Sequence, residues 1–396
     1  MEFGNIEFNN MKNRLKQLMN TFDPVLATEK LLGINRFTLE GHNVVAASSF
    51  SKFTSFSIST SVVLWFAIFR IFPLSILGTA FQFNLFRDLP MFVILAQYWF
   101  TCVFAISLHE KINIMTLNDI HHLDTILHVN FGDNFYRRAR KESTIAFLVL
   151  LISHVILECG DIFSDGLLSF SGVSIMITHF FQDLEVVMFY KLISMLDARL
   201  KILNGLIGNI KKKEENSLTR TIIISQTADT SSAIDRATEL NNLASLYFKI
   251  GEIFTSINDS SNFQILMTLL SAFASIIVVI WAALNNEFKE TFSVNIIRIV
   301  MWCTRYVCVI IILSFTCEKL ISTRNNTKVL VNDIIMDYDQ PPQVRFQAKA
   351  FKELIDAYFL SISIYDMFFV DVTLIIKFIS VCTTYLIVII QVSHFV

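Results

Sequence analysis

The sequence predicts an all-α membrane protein with seven transmembrane helices, a cytoplasmic N-terminus, an extracellular C-terminus, and lower helices extending into a cytoplasmic anchor bundle. Three observations predict it. The 396 residues are 54% hydrophobic and only 17% charged, with a mean hydropathy of +0.56; a soluble domain of this length needs more charge to cover its surface. Seven apolar stretches approach the roughly 20 residues that a helix needs to cross a hydrocarbon core about 30 Å thick. Lysine and arginine are divided very unevenly among the connections between those stretches.

The spans are residues 58–80, 90–108, 144–163, 167–190, 263–284, 296–316 and 372–396. Pro73 is expected to kink the first, which membrane helices tolerate. The fourth is the least apolar, carrying Gln182, Asp183 and Glu185, and is expected to run on into the cytoplasm. With 38 Phe and only 11 Gly and 5 Pro, the composition favours long helices over loops. No signal peptide is read at the start, because the first residues are polar.

Residues 81–89, 164–166 and 285–295 make short connections that hold two basic residues, Arg87 and Lys289. The segment before the first span and the three long connections hold 25, and Arg70, Lys191, Arg298, Arg305 and Lys377 lie in spans or at their ends. The basic side is cytoplasmic by the positive-inside rule. A metabotropic, G-protein-coupled seven-helix receptor has its N-terminus outside, so its basic loops would be the three that are short and poorly charged here.

The long connections carry helical patterns. Residues 109–129 place Ile112, Met115, Ile120, Leu123, Ile126 and Leu127 at near-helical spacing, and residues 233–257, 320–336 and 344–365 do likewise. Residues 211–232, with Lys211, Lys212, Lys213 and many Ser and Thr, read as a flexible loop. Pro341 and Pro342 should separate the helix descending from the sixth span from the one returning to the seventh. The organisation is thus a cytoplasmic segment 1–57, six spans with their extensions over 58–316, anchor helices 317–371, and a seventh helix 372–396. No internal repeat is apparent, against transporters built from inverted halves.

Other chemistry is sparse. Cys102, Cys159, Cys303, Cys308, Cys317 and Cys382 lie in or beside apolar runs without metal-ligand spacing. His121, His122 and Asp124 sit on a helical segment without the spacing of a zinc helix, so a packed or solvated face is expected. No catalytic residue, metal site, cofactor or enzyme signature is read, and a net charge of −2 gives no reason to expect nucleic acid.

The last span reads Thr384-Tyr385, five hydrophobic residues, then Gln391-Val392. This resembles the signature of the insect gustatory receptor family, Thr-Tyr, five hydrophobics and Gln-Phe at the end of the seventh helix; Val392 stands where the family has Phe. Weaker echoes are residues 22–39 with Lys30-Leu31-Leu32-Gly33, residues 197–204, residues 317–331 with Asn326-Thr327, and Phe369-Val370-Asp371. The resemblance implies a tetrameric, non-selective cation channel gated directly by a small-molecule tastant, in the plasma membrane of sensory neurons. It implies a pore lined by the last helix, an anchor of lower helices, and a ligand pocket among helices in the outer half. Sugar-receptor members carry an acidic residue after Thr-Tyr; Leu386 here points to a bitter or other tastant. Homotetramers, or heteromers with related receptors, fit the resemblance equally.

The residues of the last span add their own argument. Lys377, Thr384, Val388, Gln391 and Phe395 share one helical stripe. Polar groups on an apolar helix face protein or water rather than lipid. Four copies of Gln391 would supply amide oxygens to a dehydrating cation, and four of Val392 a hydrophobic constriction; the structural reading is that Gln391 bonds a neighbouring helix. Lys377 is expected to snorkel to the inner interface or pair with Asp371. Candidate ligand contacts are Gln97, Tyr98, Trp99, His154, Glu158, Trp281, Arg298, Trp302, Arg305 and Tyr306. The bland reading of these is structural, with Glu158 paired to Arg298 or Arg305 and the aromatics as interfacial anchors. A transporter or scaffold shares the orientation without needing the closing motif.

Two N-x-S/T sequons, at Asn258 and Asn325, lie on the side assigned to the cytoplasm. Both should remain unglycosylated in a eukaryotic host, read as an unshifted band on glycosidase treatment; a glycan on either reverses the orientation.

Overall fold

The computed structural model describes residues 15–40, 43–68, 81–127, 133–165, 170–218, 226–284 and 292–395. Ten helices are named in chain order: α1 (Asp23–Leu31), α2 (Ser49–Phe66), α3 (Phe81–Ile106), α4 (Glu110–Ile126), α5 (Asp133–Asp165), α6 (Phe170–Leu218), α7 (Gln226–Leu284), α8 (Phe292–Met336), α9 (Pro342–Ala357) and α10 (Thr373–Phe395). Two small hairpins join them. β1 (Thr38–Glu40) pairs antiparallel with β2 (Asn43–Val45), and β3 (Ser363–Ile364) with β4 (Phe368–Phe369).

Helix length sets the architecture. The 59 residues of α7 rise about 90 Å, three times the thickness of a hydrocarbon core. Helices α6 and α8, of 49 and 45 residues, are each more than twice that thickness. They therefore project well beyond any bilayer they cross, and their projecting parts pack with α4 and α9 into one bundle. Leu200, Tyr247, Val331 and Phe351 are fully buried there, continuous with Leu184 and Leu313 further along the same helices.

Four stretches among the described residues are long and apolar enough to cross a membrane: Leu89–Ile106, Ala233–Trp281, Val300–Met336 and Thr373–Gln391. The other expected spans fall on α2, α5 and α6; residues 69–80, with Pro73 and its expected kink, lie outside the described residues. Helix α5 turns Val149, Ile152, Val155 and Ile156 outward, each more than half exposed. That is an apolar face suited to lipid and costly in water.

Local signals account for the helix ends. Ser48 starts α2, its side chain accepting from the Ser51 N–H at 3.2 Å. Gly33 closes the α1 turn at φ +87°, and a Cβ there would meet the Ile58 side chain at 2.9 Å. Pro341 is extended (ψ 142°), so α8 and α9 are separated where the two prolines stand.

Three expectations are corrected. Residues 81–89 are the start of α3 rather than a loop, since they hold no Gly or Pro, and Pro90 is carried inside the helix. Residues 211–218 extend α6, because the Lys-Lys-Lys-Glu-Glu run consists of good helix formers with opposite charges in reach at three and four positions. Residues 358–365 leave the helical pattern of 344–365. There the Tyr358 ring sits on Gly251 of α7, and its carbonyl accepts from Tyr247 Oη at 2.9 Å. Tyr365 and Asp366 turn through positive φ, with the Asp366 N–H donating to Ser363 Oγ at 3.2 Å.

The expected packed face around His121, His122 and Asp124 is present. Asp124 is buried and receives Arg199 Nε at 2.7 Å, Arg199 Nη2 at 2.6 Å and Tyr136 Oη at 2.6 Å, joining α4, α5 and α6. Among the described residues no cluster of three His, Cys, Asp or Glu can hold a metal ion.

Gly251 is the position on which the α9–α10 connection rests. A Cβ there falls 2.6 Å from the Tyr358 ring, so Gly251→Val should lower stability by about 1–3 kcal/mol. Thermal unfolding of the purified protein checks this, and an unchanged midpoint would refute the contact.

Candidate functional site

The polar residues within the apolar part of the bundle are placed by helical spacing. His179, Gln182 and Asp183 stand at i, i+3 and i+4 on α6, and Trp302, Arg305 and Tyr306 do the same on α8. Gln264, Thr268, Ser271 and Ser275 line one side of α7 at intervals of four, three and four. These stripes face one another, with His154 of α5 and Gln97 of α3 closing the group.

Asp183 is its centre. Arg305 donates to it through Nε at 2.9 Å and Nη2 at 2.7 Å, a two-pronged charge-assisted pair. His154 Nε2 lies 2.8 Å from the same carboxylate. Nη2 also reaches the His179 carbonyl at 3.2 Å and Gln182 Oε1 at 3.4 Å, and Nη1 lies 3.3 Å from His179 Nδ1. The guanidinium also lies over the rings of Trp302, at 5.3 Å, and Tyr306, at 4.9 Å. The Tyr306 hydroxyl accepts from Ser275 at 2.9 Å.

From Gln182 the network crosses the bundle. Its Nε2 donates to Gln97 Oε1 at 3.0 Å and to Ser271 Oγ. Gln97 Nε2 then donates to Thr268 Oγ1 at 3.0 Å and the Gln264 carbonyl at 3.2 Å. Five helices are joined by one set of bonds in a region where water cannot supply substitutes.

Of the ten candidate ligand residues, Gln97, His154, Trp302, Arg305 and Tyr306 are brought together here. Tyr98 and Trp99 point elsewhere: the Tyr98 hydroxyl donates to the Leu32 carbonyl at 2.7 Å, and Trp99 Nε1 to Thr60 at 3.3 Å. Trp281 is half-buried near the end of α7. The side chains of Glu158 and Arg298 lie outside the described residues. Arg305 is paired with Asp183, the carboxylate that the α6 stripe aims at α8; the reading that pairs Glu158 with Arg298 or Arg305 falls outside the described residues. Gln182 and Asp183 were legible only as residues weakening the fourth span, and His179 was not singled out; their spacing was the signal that the three form a face.

Two atoms of this group are uncommitted, His154 Nδ1 and Gln264 Oε1. His154 Nδ1 is buried without a partner; when Nε2 carries the proton toward Asp183, Nδ1 is a free acceptor. His154 itself packs edge-on against Phe180 at 5.2 Å, and elsewhere in the group the His179 and Trp302 ring centroids are 4.8 Å apart. This combination suits a small flat molecule carrying a hydroxyl donor.

Helix α10 lies on the edge of the bundle. Leu374, Phe378, Cys382, Leu386 and Ile389 form its inward stripe, against α7 and α8. Lys377, Thr384, Val388 and Gln391 fall on another face, and all are exposed. Only 11% of this span is buried within the chain, against 56% for α7, so most of α10 needs a covering from outside the chain. Tyr385 packs edge-on against Phe273 at 5.3 Å, and the Thr384 hydroxyl donates back to the Ser380 carbonyl at 2.9 Å. Asp371 caps α10, accepting from the Leu374 N–H at 3.2 Å, and does not take Lys377 as its partner. The Val392 side chain lies outside the described residues.

The profile of the 7tm Chemosensory receptor family matches residues 22–393. No curated protein matches the chain. Among solved structures, it is similar to the insect olfactory receptor OR5 from Machilis hrabei, at a TM-score of 0.68 and 14% identity over 96% of this chain and 99% of that one. The same receptor in complex with eugenol gives a TM-score of 0.62 at 14% identity and the same coverage.

The Asp183 network predicts a specific mutational pattern. Asp183→Ala strands a buried guanidinium and should cost about 3–5 kcal/mol, whereas the apolar pair Asp183→Leu with Arg305→Met should recover most of that loss. Thermal stability of the purified variants checks both; a single variant as stable as the parent refutes the assignment.

Proposed function

The chain belongs to the 7tm chemosensory receptor family, and from that premise we propose that it is a gustatory receptor, a tastant-gated, non-selective cation channel with the pore lined by α10. The observation that carries this is the uncovered face of α10. A span-length apolar helix exposes Thr384, Val388 and Gln391 on one stripe, where a monomer in lipid would be expected to bury them. Around a fourfold axis that stripe becomes a pore lining, with the Gln391 amides replacing part of a cation's hydration shell.

The orientation that places the pore's mouth outside follows from the basic residues, which puts α4, α9 and the long ends of α6, α7 and α8 in the cytoplasm. Tyr338, Phe346, Phe359, Met367 and Phe369 are more than half exposed at that end. Apolar surface in an aqueous compartment favours contact between subunits, here a tetramer of this chain or of this chain with a relative. The gustatory assignment rests on the Thr384-Tyr385 and Gln391 ending, and the setting is the plasma membrane of sensory neurons.

The solved OR5 structure contains eugenol. A molecule of that class would use the His179 and Trp302 rings and donate its hydroxyl to His154 Nδ1. Binding there competes with a network that ties α3, α5, α6, α7 and α8 together, and α8 and α7 in turn carry α10. Ligand occupancy thus has a mechanical route to the pore helix.

The test is current recorded from excised patches of cells expressing the chain, under a panel of tastants, without nucleotide or G protein. An agonist-evoked cation current is expected, and Gln391→Ala should change its relative ion permeability or the basal current. Evoked current with neither property altered in the variant would remove Gln391 from the pore; no evoked current under any tastant, alone or with related receptors, would refute the channel reading.

A further inference from the structure

A second polar cavity lies between α4, α6 and α7, against the segment joining α1 to β1. It measures about 40 Å³ and is lined by Arg36, Asn113, Glu185, Ser260, Gln264 and Thr268, among others. At roughly 10–15 Å³ for each water-sized species, it holds about three. It is distinct from the pore helix and from the rings around Arg305, although Gln97 bonds both to Gln182 and to Thr268 on its wall.

The charges beside it do not balance. Arg36 donates from Nε to Glu29 at 2.9 Å and from Nη2 both to Glu29, at 3.2 Å, and to Glu185. Glu29 and Glu185 are buried, 1% and 7% exposed, and the Arg36 side chain is 9% exposed. Burial alone would lower the Arg36 pKa, but Glu185 and Glu29 outweigh it and hold the guanidinium charged. Two carboxylates therefore share one cation. Among the described residues, Lys52 is committed to Glu110 at 2.6 Å and Arg305 to Asp183. His109 is held below its ordinary pKa by burial and by Arg36, against a smaller opposing pull from Asp259, and so is neutral at pH 7. An uncompensated buried carboxylate costs several kcal/mol, so either a proton or a bound cation must neutralise it.

The cavity wall favours the cation. Gln264, 8% exposed, lines the cavity with its Oε1 buried and without a hydrogen-bond partner. An unpaired carbonyl oxygen, the Glu185 carboxylate and the hydroxyls of Ser260 and Ser261 make an oxygen donor set carrying one surplus negative charge. That set has too little charge for a divalent ion, which draws several carboxylates. We propose that this cavity binds a small monovalent cation, an alkali ion or a primary ammonium, between the Glu185 carboxylate and Gln264 Oε1. Bound there, the cation ties α6 to α7 and holds the Arg36 segment against them.

The experiment is equilibrium binding of radiolabelled rubidium to the purified full chain in lipid nanodiscs at pH 8, with N-methylglucamine as the inert salt. About one saturable ion per chain is expected. Glu185→Gln should abolish it, and Gln264→Met should weaken it by about tenfold or more. The readout is equilibrium binding rather than current, which makes the result independent of channel activity. Thermal unfolding in rubidium against N-methylglucamine should show a stabilisation that the Glu185→Gln protein lacks. Displacement by methylammonium would identify the ammonium form of the ligand, and failure to displace would identify the alkali form. No saturable binding would overturn the proposal and assign the counter-charge to a proton. Undiminished binding in Glu185→Gln would overturn it equally.

Discussion

The ion pair between Asp183 and Arg305 is the constraint around which the apolar part of this molecule is organised. A carboxylate and a guanidinium are too costly to leave apart in a region of low dielectric, so α6 and α8 are fixed in register wherever the two meet. Every other polar choice in the neighbourhood follows from satisfying that pair. His154 brings α5 to the carboxylate, Gln182 takes a spare guanidinium N–H, and Gln97 and Ser271 take the Gln182 amide. Such a network adds little to stability compared with an apolar core of the same shape. Its contribution is to make one arrangement of five helices much better than its alternatives.

A second constraint is length. Helices of 45 to 59 residues cannot be contained by a bilayer, and their projecting halves need a core of their own. Arg199 and Asp124 repeat at that end the device that Arg305 and Asp183 provide in the other: a buried, two-pronged pair that fixes register among α4, α5 and α6. One set of continuous helices with a polar clamp at each level transmits a small shift at one end to the other, because a close-packed helix moves as a body. Helix α10 is clamped by neither. It leans on α7 and α8 along one stripe and leaves the rest open, as an element must if its function is completed by other copies.

Much of this was legible in the residues before any coordinates. Hydropathy marked the apolar stretches that lie in α3, α7, α8 and α10, the prolines at 341 and 342 located the break between α8 and α9, and the Thr384-Tyr385 to Gln391 ending pointed to the relatives. Three expectations failed for physical reasons that act at short range. Lysine and glutamate at 211–218 look like a loop by polarity but are helix formers at pairing distance. Residues 81–89 look like a connection by polarity but lack a breaker. Residues 358–365 look helical by periodicity until a tyrosine ring finds a glycine more than a hundred residues away.

By itself, then, the sequence determined the helical class and the family, because these depend on composition and on a short motif along one chain. Only the tertiary structure decided which carboxylate meets Arg305. Glu158 and Asp183 are equally acidic on paper, and the choice depends on the rotation of α6 about its own axis, which packing against α7 and α8 sets. The surplus charge shared by Glu29, Arg36 and Glu185 was equally invisible, since Glu29 and Glu185 stand 156 positions apart in the chain. Charge balance is a property of a neighbourhood, and neighbourhoods exist only once the chain has folded.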